Sequence, residues 1–101
     1  MENEKDNNEK IIYIGGKPFM NYVTATVMHF TKKESDSVIV SARGKFISRA
    51  VDVVEVAIKK FLTSENVKIA GINIDSTDMT NKIGKSVRVS TIDIYLEKMK
   101  T

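Results

Sequence analysis

The sequence contains no cysteine. That excludes disulfides and thiolate zinc sites and fits an intracellular protein. Histidine occurs once, as His29, so no His or Cys cluster can hold a metal and no nucleophile triad has its pattern of partners. His29 itself reads as a packed or half-exposed helix residue. No apolar run approaches the ~20 residues of a membrane span, and the first residues lack the apolar core of a signal peptide. No internal repeat and no low-complexity block is present. Gly84-Lys85-Ser86 echoes the end of a phosphate-binding loop, but Met79 stands where the leading glycine would have to be. The expectation is a protein without cofactor, metal site, membrane contact or enzymatic centre.

What remains is a chain of 101 residues, 42% hydrophobic, with a formal charge of +3. Its length predicts one domain with a small core. The charge is uneven. Glu2, Glu4, Asp6 and Glu9 outnumber the lysines of the first ten residues, so the rest is more basic than the total suggests. A modest basic excess fits a polyanion partner without demanding one. Residues 1–9 read as a disordered polar tail and 10–101 as the single domain.

Ile11 to Ile14 form a short apolar run that ends at Gly15-Gly16 and reads as a buried strand. Pro18 suits the first turn of a helix. Phe19, Tyr22, Val23, Thr26, Val27 and Phe30 recur at helical spacing to about Lys33. After a polar turn, Val38-Ile39-Val40 is a second strand. A second helix runs from about Lys45 to Leu62, with Ile47, Ala50, Val51, Val54, Ala57, Ile58 and Phe61 as its apolar stripe. Asp52 and Glu55 read as a solvated face, or as partners for Arg49 and Lys59.

Strands follow at about 67–78 and 85–97. Both change phase. Val67 and Ile69 fall on one face and Ile72 and Ile74 on the other; Val87 and Val89 fall on one, Ile92, Ile94 and Leu96 on the other. A bulge, or a strand leaving the body, would explain this. Gly84 is placed to take a positive φ in the intervening turn.

The order is β-α-β-α-β-β. It predicts an α/β (α+β sandwich) fold with two helices on one face of a mixed four-stranded sheet and a protruding hairpin between the last two strands. Helical crossovers make the first three strands parallel, so both helix starts and the hairpin share one edge. That edge gathers Gly15, Gly16 and Lys17 with Arg43, Gly44, Lys45 and Arg49. It also receives the hairpin cations Lys82, Lys85 and Arg88. Glycine lets an anion approach unpaired helix-start amides, and lysine or arginine adds full charge. The competing reading is a set of solvated surface cations, with the hairpin lysines guarding an exposed edge. The predicted convergence favours phosphate recognition, with residues 76–90 as an arm entering the minor groove.

Ile14 to Val23 resembles the I-G-K-K-P-x-M-N-Y-V signature of the Alba family of archaeal chromatin proteins. Ala42 to Asp52 resembles that family's A-R-G-[RK]-x-I-x-[RK]-A-V-D, and Arg88 to Ile94 its R-V-S-T-I-E-I. The resemblance spans nearly all of Ile11 to Glu97 in order and spacing. It implies binding to double-stranded DNA and to RNA with little sequence preference, as a homodimer attached to the chromosome in the cytoplasm. It leaves room for a heterodimer with a paralogue. It adds Asn21 and Tyr22 to the expected nucleic-acid-binding residues and gives Phe61 a role in packing dimers together on DNA. Gly16 replaces the first lysine of the family pair, so one phosphate contact per subunit and one acetylation site are expected to be missing. An RNA chaperone or ribonucleoprotein subunit is the alternative reading.

Overall fold

A computed structural model describes residues 10–99. The expected tail, residues 1–9, lies outside the described residues. Strand β1 (Ile11–Tyr13) leads into helix α1 (Phe19–Thr31), and strand β2 (Ser37–Arg43) follows. A 3-10 turn (Gly44–Phe46) opens helix α2 (Ile47–Val56), and a π-turn (Ala57–Phe61) extends it. Strands β3 (Val67–Thr80) and β4 (Ser86–Lys98) form the hairpin. The sheet order is β1-β2-β4-β3. Strand β1 is parallel to β2, and β4 is antiparallel to both β2 and β3. The first three strands therefore run in one direction, as the crossover argument predicts.

Side-chain alternation shows which face is covered. Ile12 is level with Val40, Val40 with Ile94, and Val38 with Leu96. All five are buried, together with Tyr22, Val23, Thr26 and Phe30 of α1 and Ala50, Val53 and Val54 of α2. Both helices thus pack on one face. On the open face, Ser41 donates a 2.6 Å hydrogen bond to Asp93.

Three expectations need correction. Pro18 is the N-cap of α1, one residue before the helix proper. In the second helix Val51 is 41% exposed and Val53 is buried within the regular α-helical part, and the expected apolar stripe loses its phase at the far end, where Phe61 is 50% exposed and Leu62 buried. The cause at that far end is the π-turn, in which the Leu62 amide reaches back five residues to the Ala57 carbonyl. Its wider winding turns Phe61 outward and Leu62 inward. In β3, the register slips between Ile69 and Gly71. This bulge sets Ile69, Ile72 and Ile74 opposite Leu96, Ile94 and Ile92. All three isoleucines therefore share the helix-side face instead of dividing between two faces, and all three are exposed there.

The extra residue of the β3–β4 ladder lies on β3, and β4 itself pairs residue by residue without a bulge. Its phase change marks where the strand leaves the body. Ile92 is buried, whereas residues 77–88 of the hairpin are exposed. Pairing continues outward to Thr80 opposite Ser86.

Candidate nucleic-acid interface

The loop after β1 is held by two side chains from the helices. The Tyr22 hydroxyl accepts hydrogen bonds from the amides of Gly15 and Lys17, each 3.0 Å. Arg49, one turn into the second helix, donates a 2.7 Å bond to the Gly15 carbonyl. Its guanidinium lies 5.8 Å from the centroid of the Tyr22 ring, within cation–π range. The loop is thus fixed from both helices, with Lys17 exposed at its end.

This alters the expected chemistry. The Gly15 and Lys17 amides are occupied by Tyr22, so they are not the open donors of a phosphate cradle. Arg49 bonds Gly15 rather than Asp52, while Glu55 takes Lys59 at 2.7 Å as expected. No side chain caps α1. Gly16 has open space where a Cβ would stand and does not adopt a positive φ. Asn21 is exposed one turn into α1, and its amide bonds the Pro18 carbonyl.

The second basic segment lies beside the first. The Ile14 amide bonds the Ser41 carbonyl, so the ends of β1 and β2 are adjacent and Arg43-Gly44-Lys45 continues from that end. Arg43 is exposed. Lys45 sits 5.4 Å from the centroid of the Phe46 ring. Gly44 adopts φ +56°, and a Cβ there would meet Val89 at 3.5 Å. Its glycine is required by a left-handed turn where β4 passes close by, which the sequence reading did not anticipate.

Arg43 pairs with Thr91, one residue from the start of the expected arm. Beyond this pair the hairpin continues alone. Its six residues from Asp75 to Thr80, at roughly 3.3 Å each, carry the tip about 20 Å away. Lys82 and Lys85 are therefore on the same side of the molecule as Lys17 and Arg43 but far out along the arm. Arg88 lies on the stem, where it bonds Ser76 at 2.9 Å and pairs with Asp78 at 3.3 Å. It is held within the arm instead of standing free. Gly84 takes the expected positive φ, at 84°.

Among the described residues no group of three or more His, Cys, Asp or Glu could hold a metal ion, and no helix is long and apolar enough to cross a membrane. His29 is half-buried near the end of α1. Burial, then the charges of Lys33 and Lys10, push its pKa below the usual 6.5.

Comparison with known proteins bears on the family and the fold. Residues 10–76 match the family model described as Alba. The chain is 47% identical over 90 residues to a DNA/RNA-binding protein Alba of Methanococcus maripaludis, covering 89% of this chain and 99% of that relative. It is 44% identical over 88 residues to the DNA/RNA-binding protein Alba of Nanoarchaeum equitans, covering 86% of this chain and 96% of that one. Among solved structures, Alba from Thermoplasma volcanium superposes with a TM-score of 0.81 at 40% identity, covering 88% of this chain and 100% of its own.

Proposed function

The chain belongs to the Alba family, and from that premise we propose that it binds double-stranded DNA and RNA with little sequence preference, as an architectural protein of the chromosome. Its relatives are named for binding DNA and RNA. The observation that carries the reading is the register at one sheet edge. Ile14 bonds Ser41, Arg43 pairs with Thr91, and the hairpin departs from that pair. Lys17, Arg43 and Lys45 are exposed around that departure point, where they can meet phosphates while the arm follows a groove. Phosphate contacts position a protein without reading bases, so the binding is a matter of charge and shape rather than catalysis.

We place the working unit as a homodimer. The support is the exposed row Ile69, Ile72 and Ile74 on the helix-side face. A second copy covering that row would bury it and set two arms on one duplex. Phe61, exposed on the π-turn, then serves contacts between dimers, and the protein works at the nucleoid in the cytoplasm.

The test is a titration of the full chain against duplex DNA and structured RNA at equal salt, with the mass of the free protein measured in parallel. Comparable affinity for duplexes of unrelated sequence, by a dimer, supports the reading. Tight binding to one structured RNA with weak duplex binding replaces it with a ribonucleoprotein role.

A further inference from the structure

The tip of the arm carries a side chain that phosphate binding does not use. Ile83 is 79% exposed, the most exposed large hydrophobic residue among those described. Single exposed apolar residues are ordinary on protein surfaces. The setting of this one is not. Turn tips favour glycine, asparagine, aspartate and serine, and here an isoleucine stands between Lys82 and Lys85.

The turn beneath it is tightly made. The Asn81 side-chain oxygen accepts from the amides of Ile83 at 3.0 Å and Lys85 at 2.9 Å. The Gly84 amide bonds the Asn81 carbonyl at 3.0 Å, and the Asn81 amide bonds the Lys85 carbonyl at 2.8 Å. Gly84 supplies the φ of +84° that closes the loop. Three consecutive amides, from Ile83 to Lys85, are spent inside the turn. The tip therefore offers little backbone hydrogen bonding to a ligand. What it presents outward is one branched apolar side chain with an ammonium group on each flank.

We propose that Ile83 is a wedge that enters a base step of duplex DNA from the minor groove and partly unstacks it, while Lys82 and Lys85 hold the phosphates on either side. This rests on the proposed binding of duplex DNA and specifies how the arm's tip engages it. Apolar wedges inserted at a base step from the minor groove unstack it and kink the duplex toward the major groove. The wedge needs a prong that does not collapse, a reach that clears the phosphate ridge and local positive charge. The Asn81 bonds give the first, about 20 Å of free ladder the second, and the paired lysines the third. The B-form minor groove is about 6 Å wide, which admits one side chain closely. A-form RNA has a wide and shallow minor groove that would not grip it, so duplex DNA is the occupant. The wedge also gives a preference without base contacts, because TA and CA/TG steps unstack most easily.

The test uses the full-length protein, Ile83→Ser and Ile83→Met on duplexes carrying 2-aminopurine at a central TA step. Binding is measured separately by a salt series, and a melting curve is taken for each protein. The expected result is a severalfold rise in 2-aminopurine fluorescence with the native protein, mostly lost in Ile83→Ser and retained in Ile83→Met. The slope of log K against log salt should stay the same in all three, because no charge changes. Binding without any fluorescence rise, or a rise that survives Ile83→Ser, overturns the wedge while leaving the proposed function intact. Self-association without DNA that disappears in Ile83→Ser also overturns it, since the tip would then be a protein contact. Failure of every protein to bind duplex DNA overturns the proposed function and the wedge with it.

Discussion

Arg49 lies over the ring of Tyr22, with 5.8 Å between its guanidinium carbon and the ring centroid. The pair joins the two helices at the edge where the basic segments meet. Arg49 grips the Gly15 carbonyl and the Tyr22 hydroxyl grips the Gly15 and Lys17 amides. One loop is therefore held from both sides by side chains that do not themselves need to touch a ligand.

Tyr22→Phe removes the hydroxyl and keeps the ring. Two amides of a part-buried loop lose their partner, and the expected cost is about 1–3 kcal/mol, read as a lower melting temperature. Affinity for duplex DNA should fall by the same loosening of Lys17, while the salt slope stays near its original value because no charge is lost. A stability equal to that of the native protein would show that the loop needs no such clamp.

Gly16→Lys restores the lysine that this chain lacks. Its Cβ enters open space at a backbone φ that side chains accept, so the melting temperature should hold or rise slightly. Affinity for duplex DNA should increase most at low salt and fade as screening grows. If stability is kept and affinity does not rise, position 16 faces away from nucleic acid.

Removing cations one at a time should separate free charges from paired ones. Lys17→Ala and Arg43→Ala should each make the slope of log K against log salt shallower by roughly 0.9 per lost phosphate contact, for all sequences alike. Arg88→Ala should change the slope less, because Arg88 is already paired with Asp78 and bonded to Ser76. Equal slopes for the three variants would show that Arg88 leaves its partners when DNA arrives.

His29 should make stability depend on pH. Its pKa is lowered in the folded chain by burial and by Lys33 and Lys10, and its Nδ1 is buried without a hydrogen-bond partner. The unfolded chain therefore binds the proton more readily. The stabilising contribution is complete above about 6.5, the ordinary histidine pKa. It is lost as pH falls through the lower folded value. His29→Gln should flatten that acid-side slope in denaturation curves taken from pH 7.5 downward. An unchanged slope would assign the pH dependence to other groups.

Much of this was legible in the sequence, for physical reasons that differ by element. Helix α1 carries unbroken periodicity, so its covered face followed directly; the first two strands read only as buried apolar runs, and which face is covered shows in the alternation of buried Ile12 and Ile14 with Tyr13, 71% exposed. The common edge followed from strand direction, because helical crossovers make the first three strands parallel. The second helix was harder. A helical wheel assumes one winding, and the π-turn at Ala57–Phe61 changes it, so the expected stripe put Phe61 on the covered side; Val53, buried before that turn, was missed by the choice of stripe. The bulge after Ile69 was anticipated as a phase change but not its outcome, since only the partner strand decides which face Ile72 and Ile74 join. The fates of Tyr22, Arg49 and Arg88 depend on contacts 5 to 34 residues apart. Charge type alone cannot separate a clamp from a ligand contact.

Strand β4 runs from the hairpin tip into the core without a bulge of its own, the extra residue of its ladder to β3 lying on β3. Mechanically it is a lever with a buried short end: Ile92, Ile94 and Leu96 are its root, and the free hairpin is its long end. A load applied at Lys82 or Lys85 is delivered along the strand to that root. Strand β2 resists it in shear through seven paired positions, from Ser37–Glu97 to Arg43–Thr91. In shear, hydrogen bonds share the load instead of opening one after another. A pull on the arm directed along β4 would thus work against the whole sheet.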